Sequence, residues 1–279
     1  MTVALTGPRR ELTRRQRRPL LVVLSAIFVA ITVAAAVVGP AIFGARAAAI
    51  DAFNPGAAPS AAHLLGTDEV GRDILARLIV GAGNALVGPL IIAISGFVLS
   101  VLIGVTSGYL GGRVDTMIMR VIDFLLAFPG LLLIIVIVTV TGGGYVMALG
   151  VLVVLNAPSD IRIIRGAVIA QKSLPYIEAL RVTSVPTHRI IFRHITLNVF
   201  ALLVADFALD FSAALVTLAG LAFLGLGLPP GTPDWGQMIT LGEPVMFSNP
   251  AASLAPAACV VLLAVAFNLL GDWAYNRFG

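Results

Sequence analysis

Polar side chains that could carry chemistry are concentrated in one short segment of this otherwise apolar chain. The segment YIEALRVTSVPTHRIIFRHITLN, residues 176–198, contains Glu178 and Arg181 together with two further arginines and two histidines. Only 11% of the 279 residues are charged, 59% are hydrophobic, and the mean hydropathy is +1.02. Because charged side chains avoid apolar surroundings, so dense a polar segment predicts a surface that meets water or another protein.

The reactive residue types form no recognisable catalytic or metal-binding pattern. Lys172 follows Gln171, whereas a phosphate-binding P-loop needs Gly-Lys followed by Ser or Thr. The three histidines, His63, His188 and His194, form no HExxH pair, and a single cysteine offers neither a zinc site nor an internal disulfide. We therefore predict that this chain is not an enzyme and binds no metal and no cofactor of its own.

Two further acidic residues lie within an apolar stretch. Asp206 and Asp210 are four residues apart, so a helix places them on one face. A charged side chain near the middle of a bilayer costs about 2.5–3.5 kcal/mol on insertion scales, so such residues usually face a cavity or a partner. Two interpretations stay open. They line a translocation path that favours a cationic or zwitterionic cargo such as a peptide amine, or they hydrogen-bond to a neighbouring helix or subunit through residues such as Asn156 or Asn84.

Long apolar segments must position these polar residues. A helix crosses a bilayer with about 20 apolar residues, and six segments are candidates. They are residues 20–44, 85–110, 117–141, 145–165, 197–222 and 254–273. The first is too long for the 7–15-residue core of a signal peptide, so we expect a retained anchor. The fold class predicted is an all-α polytopic membrane protein with six transmembrane helices.

Basic residues predict the direction of the spans, because cytoplasmic loops are enriched in Arg and Lys. Residues 9–18 hold six arginines and one glutamate, and residues 160–194 hold six basic and two acidic side chains. The segments after the first and fifth spans are net acidic. Both termini are therefore expected in the cytoplasm, and the pI of about 9.8 reflects topology rather than a nucleic-acid partner. The expected divisions are a basic cytoplasmic tail at 1–19, a transmembrane domain at 20–279, an extracytoplasmic segment at about 45–84, and a cytoplasmic loop at about 166–196.

The cytoplasmic loop carries the signals of two short helices. Ser173 can cap the first, with Pro175 in its opening turn, and Ser184 can cap the second ahead of Pro186. The first helix has apolar residues, Ile177 among them, with no membrane span to bury them. An amphipathic helix outside the bilayer favours docking on a partner over a free, solvated loop.

This loop resembles the EAA loop of permease subunits of ATP-binding-cassette importers. The family pattern is Glu-Ala-Ala, then Gly after three further residues, and a closing Leu-Pro-Asn. Here it reads Glu178-Ala179-Leu180, Ser184 and Thr196-Leu197-Asn198. Serine replaces the glycine, which an N-cap would tolerate. Leucine replaces the proline, so the entry to the fifth span is expected to be less kinked.

Four further stretches resemble the permease subunits of dipeptide and oligopeptide importers. They are LLGTDEVGRDILARL (64–78), DFLLAFPG (123–130), FLGLGLPPGTPDWG (223–236) and NLLGDW (268–273). The resemblance implies a type I importer fold in the cytoplasmic (inner) membrane and pairing with a homologous second permease. It also implies two cytoplasmic ATPase subunits, which hold the ATP and Mg, and an extracytoplasmic substrate-binding protein or lipoprotein.

The resemblance also assigns expected roles to residues. The ATPase contact is expected at Tyr176, Glu178, Ala179, Leu180, Arg181 and Ser184. In GTDEVGRD the residues themselves predict that Thr67 caps a helix, and either capping is the whole role of this segment or Arg72 and Asp73 contact the binding protein or gate the pore. Trp235, in the turn PPGTPDWG, is expected to be an interfacial anchor or a partner contact, and Trp273 an anchor.

The function implied is ATP-driven translocation of di- and oligopeptides. One alternative is a permease of the same family for nickel chelates, glutathione or another small solute. A second alternative is an autonomous secondary transporter, for which a docking helix would have no purpose.

Overall fold

The computed structural model describes residues 18–142 and 144–278, and these are mostly helical. The predicted basic tail lies outside the described residues except for its last two positions, as does Gly143 in the tight break after the third span. The longest helices are α1 (Arg18–Ala48), α2 (Ile74–Leu99), α6 (Gly144–Lys172), α10 (Phe200–Phe223) and α12 (Ala251–Phe278). A π-helical turn, Ser100–Val105, continues α2 into α3 (Thr106–Leu110).

Among the described residues, five helical stretches are long and apolar enough to cross a membrane, or six if one bent pair is a single span. The bent pair is α4 (Gly112–Leu126) and α5 (Gly130–Thr141), which meet at 76°. Pro129 lies at the break with extended backbone angles, and proline disfavours helical geometry in the residue before it. The third predicted span, residues 117–141, therefore corresponds to this bent pair rather than to one straight helix. The second span begins at Ile74 rather than residue 85, and α6 continues to Lys172.

The short elements lie at the two ends of the bundle. One end carries α7 (Pro175–Val182), α8 (Thr187–Arg189), a π-helical turn (Ile190–Ile195) and α9 (Thr196–Asn198). The other end carries the loop 49–73, α11 (Trp235–Gly242) and a 3₁₀ turn, Glu243–Val245. Apolar residues of α2, α10, α11 and α12 form one buried cluster. A second cluster lies beneath α7.

Small residues allow α6 to lie unusually close to the α2–α3 stretch. A Cβ on Gly104 would lie 3.0 Å from the Ile161 carbonyl oxygen, and one on Gly108 would lie 2.9 Å from that of Arg165. Close backbone approach of this kind is the usual role of small residues between membrane helices. We call this contact the α2–α6 seam.

The turn before α11 is fastened to the beginning of α2. The indole Nε1 of Trp235 donates to the Leu78 carbonyl at 2.9 Å, and Asn84 Nδ2 donates to the Pro233 carbonyl at 2.7 Å. Trp235 is only 4% exposed, so the expectation of an interfacial anchor is wrong for this residue. Trp273, which is 48% exposed, keeps the anchor role as a prediction.

The two tryptophans therefore give a matched test of this packing. Trp235→Phe removes a buried hydrogen bond and should lower the free energy of unfolding by about 1–2 kcal/mol. Trp273→Phe should change it by less than about 0.5 kcal/mol. Unfolding of the detergent-solubilised protein, followed by helical circular dichroism, measures both. Equal losses in the two variants would contradict the buried role of Trp235.

Candidate functional site

Helix α7 begins as its sequence predicts, with Pro175 in the first turn, but with a different cap. Leu174 occupies the N-cap position with extended backbone and makes no side-chain cap. The Ser173 hydroxyl instead donates to the Ala170 carbonyl at 2.9 Å, so the predicted Ser173 cap is wrong. The opening turn of α7 therefore depends on proline geometry rather than on a serine side chain.

The inner face of α7 packs against its own chain. Ile177 is fully buried and Leu180 is partly buried against Val105, Ile164 and Val168, among others. Part of the apolar face that predicted docking is thus already covered, because α7 packs onto the cluster formed by the α2–α3 stretch, α6 and the π-helical turn Ile190–Ile195. This face fixes α7 to the bundle.

The outer face of α7 remains exposed. Glu178 and Ala179 are exposed, and Val182 is 81% exposed. Val182 lies four residues after Glu178 and three after Ala179, so it is a surface neighbour of both and the three form one continuous strip. Within the described part of the chain, Glu178 takes part in no ion pair. A short strip of one carboxylate beside small and apolar groups suits a contact with another protein.

Arg181 and Tyr176 tie α7 to the helices on either side. Arg181 Nε donates to the Tyr109 hydroxyl at 3.1 Å, and its guanidinium lies 5.1 Å from the centre of the Tyr109 ring. The Tyr176 hydroxyl donates to Gln171 Oε1 at 3.2 Å and accepts from Asn198 Nδ2 at 2.8 Å. A displacement of α7 would therefore be transmitted to α3, α6 and α9 together.

Sequence reasoning missed Tyr109 entirely. This residue is 72 positions from Arg181, and nothing in its local sequence marks it. Asn198 was quoted only as the end of the loop motif, and its side chain proves to hold Tyr176. Pairs of this kind become visible only when the fold brings two distant segments together.

Ser184 ends α7 rather than starting the next helix. Its φ angle is +57°, in the left-handed region. Its N–H bonds to the Arg181 carbonyl at 3.0 Å, and the Val185 N–H bonds to the Leu180 carbonyl at 3.1 Å. This is a Schellman C-cap, in which the left-handed position normally belongs to glycine. The predicted N-cap role is therefore wrong, since Pro186 occupies that position for α8.

Replacing this serine with glycine should tighten the end of α7. The left-handed conformation costs a non-glycine residue about 1–2 kcal/mol, partly offset by the greater freedom of glycine in the unfolded chain. Ser184→Gly should slow amide exchange of residues 176–186 about two- to fivefold, measured by hydrogen–deuterium exchange. Ser173→Gly is the control and should not slow it. Faster exchange in Ser184→Gly would contradict this account.

The opposite end of the bundle is held by Asp73, which is buried at the N-cap of α2. Its carboxylate accepts from the Ala76 N–H at 2.8 Å and from Arg46 Nη2 at 2.7 Å, and His63 Nδ1 lies 2.8 Å away. Burial raises the pKa of Asp73, but these hydrogen bonds outweigh burial and hold the pKa below its usual value. The predicted Thr67 cap is wrong, because Asp73 takes that position.

Arg72 also engages its own chain. Its Nε lies 2.7 Å from Asp68 Oδ2, while Arg77 Nε lies 3.8 Å from the same oxygen. Arg77 Nη1 donates to the Gly231 carbonyl at 3.2 Å, so loop 49–73, α2 and the turn before α11 form one connected unit. Contact of Arg72 and Asp73 with a binding protein stays a prediction.

Burial raises the pKa of Asp234, which lies beside this unit at the N-cap of α11.

Asp206 and Asp210 are brought together with a third acidic residue, Asp160 of α6. One carboxylate oxygen from each lies within 4.8 Å of the others, and we call this group the aspartate cluster. Asp160 and Asp206 are buried inside this subunit. Asn84 bonds to Pro233 instead, so the suggestion that it partners these aspartates is wrong. Sequence reasoning counted Asp160 only among the acidic side chains of residues 160–194.

Comparison with known proteins finds a family model that matches this chain. Residues 100–279 match the family model described as binding-protein-dependent transport system inner membrane component. A glutathione transport system permease protein of Pectobacterium atrosepticum is 36% identical over 222 residues, which are 80% of this chain and 73% of the relative.

Two further relatives agree. A dipeptide transport system permease protein of Alkalihalophilus pseudofirmus is 31% identical over 95% of this chain and 88% of its own length. A probable D,D-dipeptide transport system permease protein of Escherichia coli is 35% identical over 77% of this chain and 72% of its own length. The similarity thus extends beyond the segment that the family model matches.

Proposed function

The chain belongs to the family of binding-protein-dependent transport system inner membrane components, and we propose that it carries di- and oligopeptides as the permease subunit of an ATP-driven importer. It is a multi-pass protein of the inner membrane, and its family is a non-catalytic transport component. The peptide cargo is supported by relatives whose names specify dipeptide or glutathione transport.

The observation that carries the proposal is the two-sided character of α7. Ile177 and Leu180 fasten the helix to the bundle, while Glu178, Ala179 and Val182 remain available on the outside. A helix that is rigidly held on one side and open on the other can transmit force from a docked partner. We assign the open side to an ATPase subunit, with Tyr176, Arg181 and Ser184 shaping and holding the helix behind it.

The mechanism is a binding event at one site that biases a two-state element at another. When the ATPase subunits close on nucleotide, the docked α7 moves. The bonds of α7 to Tyr109 and Asn198 pass that displacement to α3 and to α9 at the entry of α10. The attached spans then tilt, which alternates the opening of the path between the two sides of the membrane.

The remaining parts of the assembly belong to other chains. ATP and Mg are held by two partner ATPase subunits, and a homologous second permease completes the path. An extracytoplasmic binding protein or lipoprotein delivers the cargo, with Arg72 and Asp73 at the end of the bundle that faces it. In this arrangement both chain termini and α7 are cytoplasmic.

Glutathione is the second candidate cargo, because the name of the Pectobacterium atrosepticum relative specifies its transport. It is itself a small peptide, so the same path could take both. Nickel chelates are the third candidate cargo, and the names of these relatives do not mention them.

The ATPase contact is tested by reversing the charge of Glu178. Glu178→Arg should abolish co-purification of the ATPase subunits and reduce uptake at least about tenfold, because it places a bulky cation in the docking strip. Glu243→Arg makes the same change on an exposed residue at the opposite end of the bundle and should retain the ATPase subunits.

Retention of both the ATPase subunits and uptake in Glu178→Arg would contradict the assignment. If no ATPase subunit co-purifies even with the unmodified protein from native membranes, the result would favour an autonomous secondary transporter over an ATP-driven importer.

The cargo is tested by uptake in a strain that lacks this chain. Loss of di- and tripeptide uptake, restored by the intact gene, is the expected result. Competition against labelled dipeptide by unlabelled peptides, glutathione and a nickel chelate then ranks the cargoes. Unchanged peptide uptake in the deletion strain, with loss of glutathione or nickel uptake, would reassign the cargo.

A further inference from the structure

The aspartate cluster lies inside the subunit, between the two long helices that flank the segment containing α7. Asp160 belongs to α6, which ends at Lys172 just before α7, and Asp206 and Asp210 belong to α10, which follows α9. The third wall is α2: a Cβ on Gly96 would lie 2.6 Å from Asp160 Oδ2 and 3.0 Å from Asp210 Oδ2. The absence of a side chain at Gly96 makes room for the carboxylates.

The basic side chains that follow Asp160 along α6 are paired away from this cluster. Arg162 and Arg165, which follow Asp160 along α6, pair instead with Asp123 and Asp115 of α4, each at 2.5 Å. Among the residues that the structure describes, no ion pair includes the aspartates of the cluster. Three carboxylates on membrane-spanning helices need compensating positive charge, because an isolated charged side chain is strongly disfavoured within the bilayer.

Two buried oxygen atoms point to what supplies that charge. Asp160 Oδ2 is buried and accepts no hydrogen bond from an N–H or hydroxyl group in the described part of the chain, and its carboxyl group lies within hydrogen-bonding reach of that of Asp210. Ser100 Oγ, on a side chain with no exposed surface, has no hydrogen-bond partner among the described residues. Ser100 follows Gly96 by four residues and precedes Gly104 by four, and both glycines face α6 at Asp160 and Ile161. Ser100 therefore lies on the side of this stretch that faces α6, between those two contacts.

We propose that Asp160, Asp206, Asp210 and Ser100 form an oxygen-only binding site for one hard divalent cation. Carboxylate and hydroxyl oxygens are the donors that Mg²⁺, Ca²⁺ and Mn²⁺ prefer. Oxygens bound to one such ion lie about 2.0–2.6 Å from it, so two of them can be about 4–5 Å apart. The spacing within 4.8 Å meets this requirement.

The site would connect the helices on both sides of α7. A cation held by α6 and α10 fixes their separation and orientation against α2. Because α7 is tied to both flanking regions, the cation would hold the two arms of the α7 segment at a set distance. The proposal concerns the stability of this arrangement and does not depend on which cargo is carried.

Binding of Mn²⁺ to the intact complex is the test. The complex is purified without nucleotide, stripped with EDTA, desalted and titrated with Mn²⁺, with free Mn²⁺ measured by electron paramagnetic resonance. The intact complex should bind one more Mn²⁺ than Asp160→Asn, and Ser100→Ala should weaken that binding about tenfold. Asp272→Asn, which alters an exposed aspartate at the end of α12, should bind as the unmodified complex does.

Thermal unfolding of the unmodified complex is a second measurement that does not require a variant to fold. Addition of Mn²⁺, Mg²⁺ or Ca²⁺ should raise the midpoint temperature of unfolding above the value measured in EDTA, and Ser100→Ala should reduce this increase. Equal Mn²⁺ binding in the unmodified complex and Asp160→Asn would overturn the proposal. The proposal would also be overturned if the thermal unfolding midpoint rose on acidification but was unchanged by all three cations, since protons alone would then neutralise the cluster.

Discussion

The close contact of α6 with the α2–α3 stretch is the constraint on which both functional regions depend. Gly104 and Gly108 bring the α6 backbone so near that a Cβ atom at either position would crowd an α6 carbonyl oxygen. At one end of this α2–α6 seam, the space at Gly96 admits Asp160 toward Asp210. At the other end, Ile164 and Val168 of α6 meet Val105 and supply the apolar surface on which α7 rests. A shift of the seam would therefore disturb the aspartate cluster and the α7 platform together.

The platform explains how a short helix can act as a mechanical element. Isolated helices of eight residues are marginal in water, so α7 owes its stability to packing. Ile177 provides the buried contact, and Arg181 and Tyr176 add polar bonds to separate elements. These bonds restrain rotation as well as separation. The strained Schellman position at Ser184 turns the chain immediately, so that the next turn, from Ile190, returns to the same apolar cluster.

The sequence could predict features that depend on local pattern and composition. Apolar segments of about 20 residues reveal membrane helices, and Pro175 indicates the start of α7. Pro129 is visible in the sequence as a possible site of a bend. The apolar residues on both sides of it nevertheless favoured a single span. Conversely, Ser184 misled because serine favours N-caps, and only the backbone angle shows that it fills a glycine position. Likewise, the sequence does not show that Asp73 rather than Thr67 caps α2, because this depends on how loop 49–73 folds back onto the helix.

Features that join distant segments were beyond such reasoning. Asp206 and Asp210 attracted notice because a helix pairs them, whereas Asp160 joins them only through the packing of α6 against α10. Their burial also changes the argument about their purpose. A carboxylate that lines a path in this subunit should reach its surface, and only Asp210 does so in part, since Asp160 and Asp206 are enclosed among helices. Charge compensation must therefore come from within the cluster, through bound cations or protons, and this requirement places α6 and α10 under a common restraint beside the helix that receives the force.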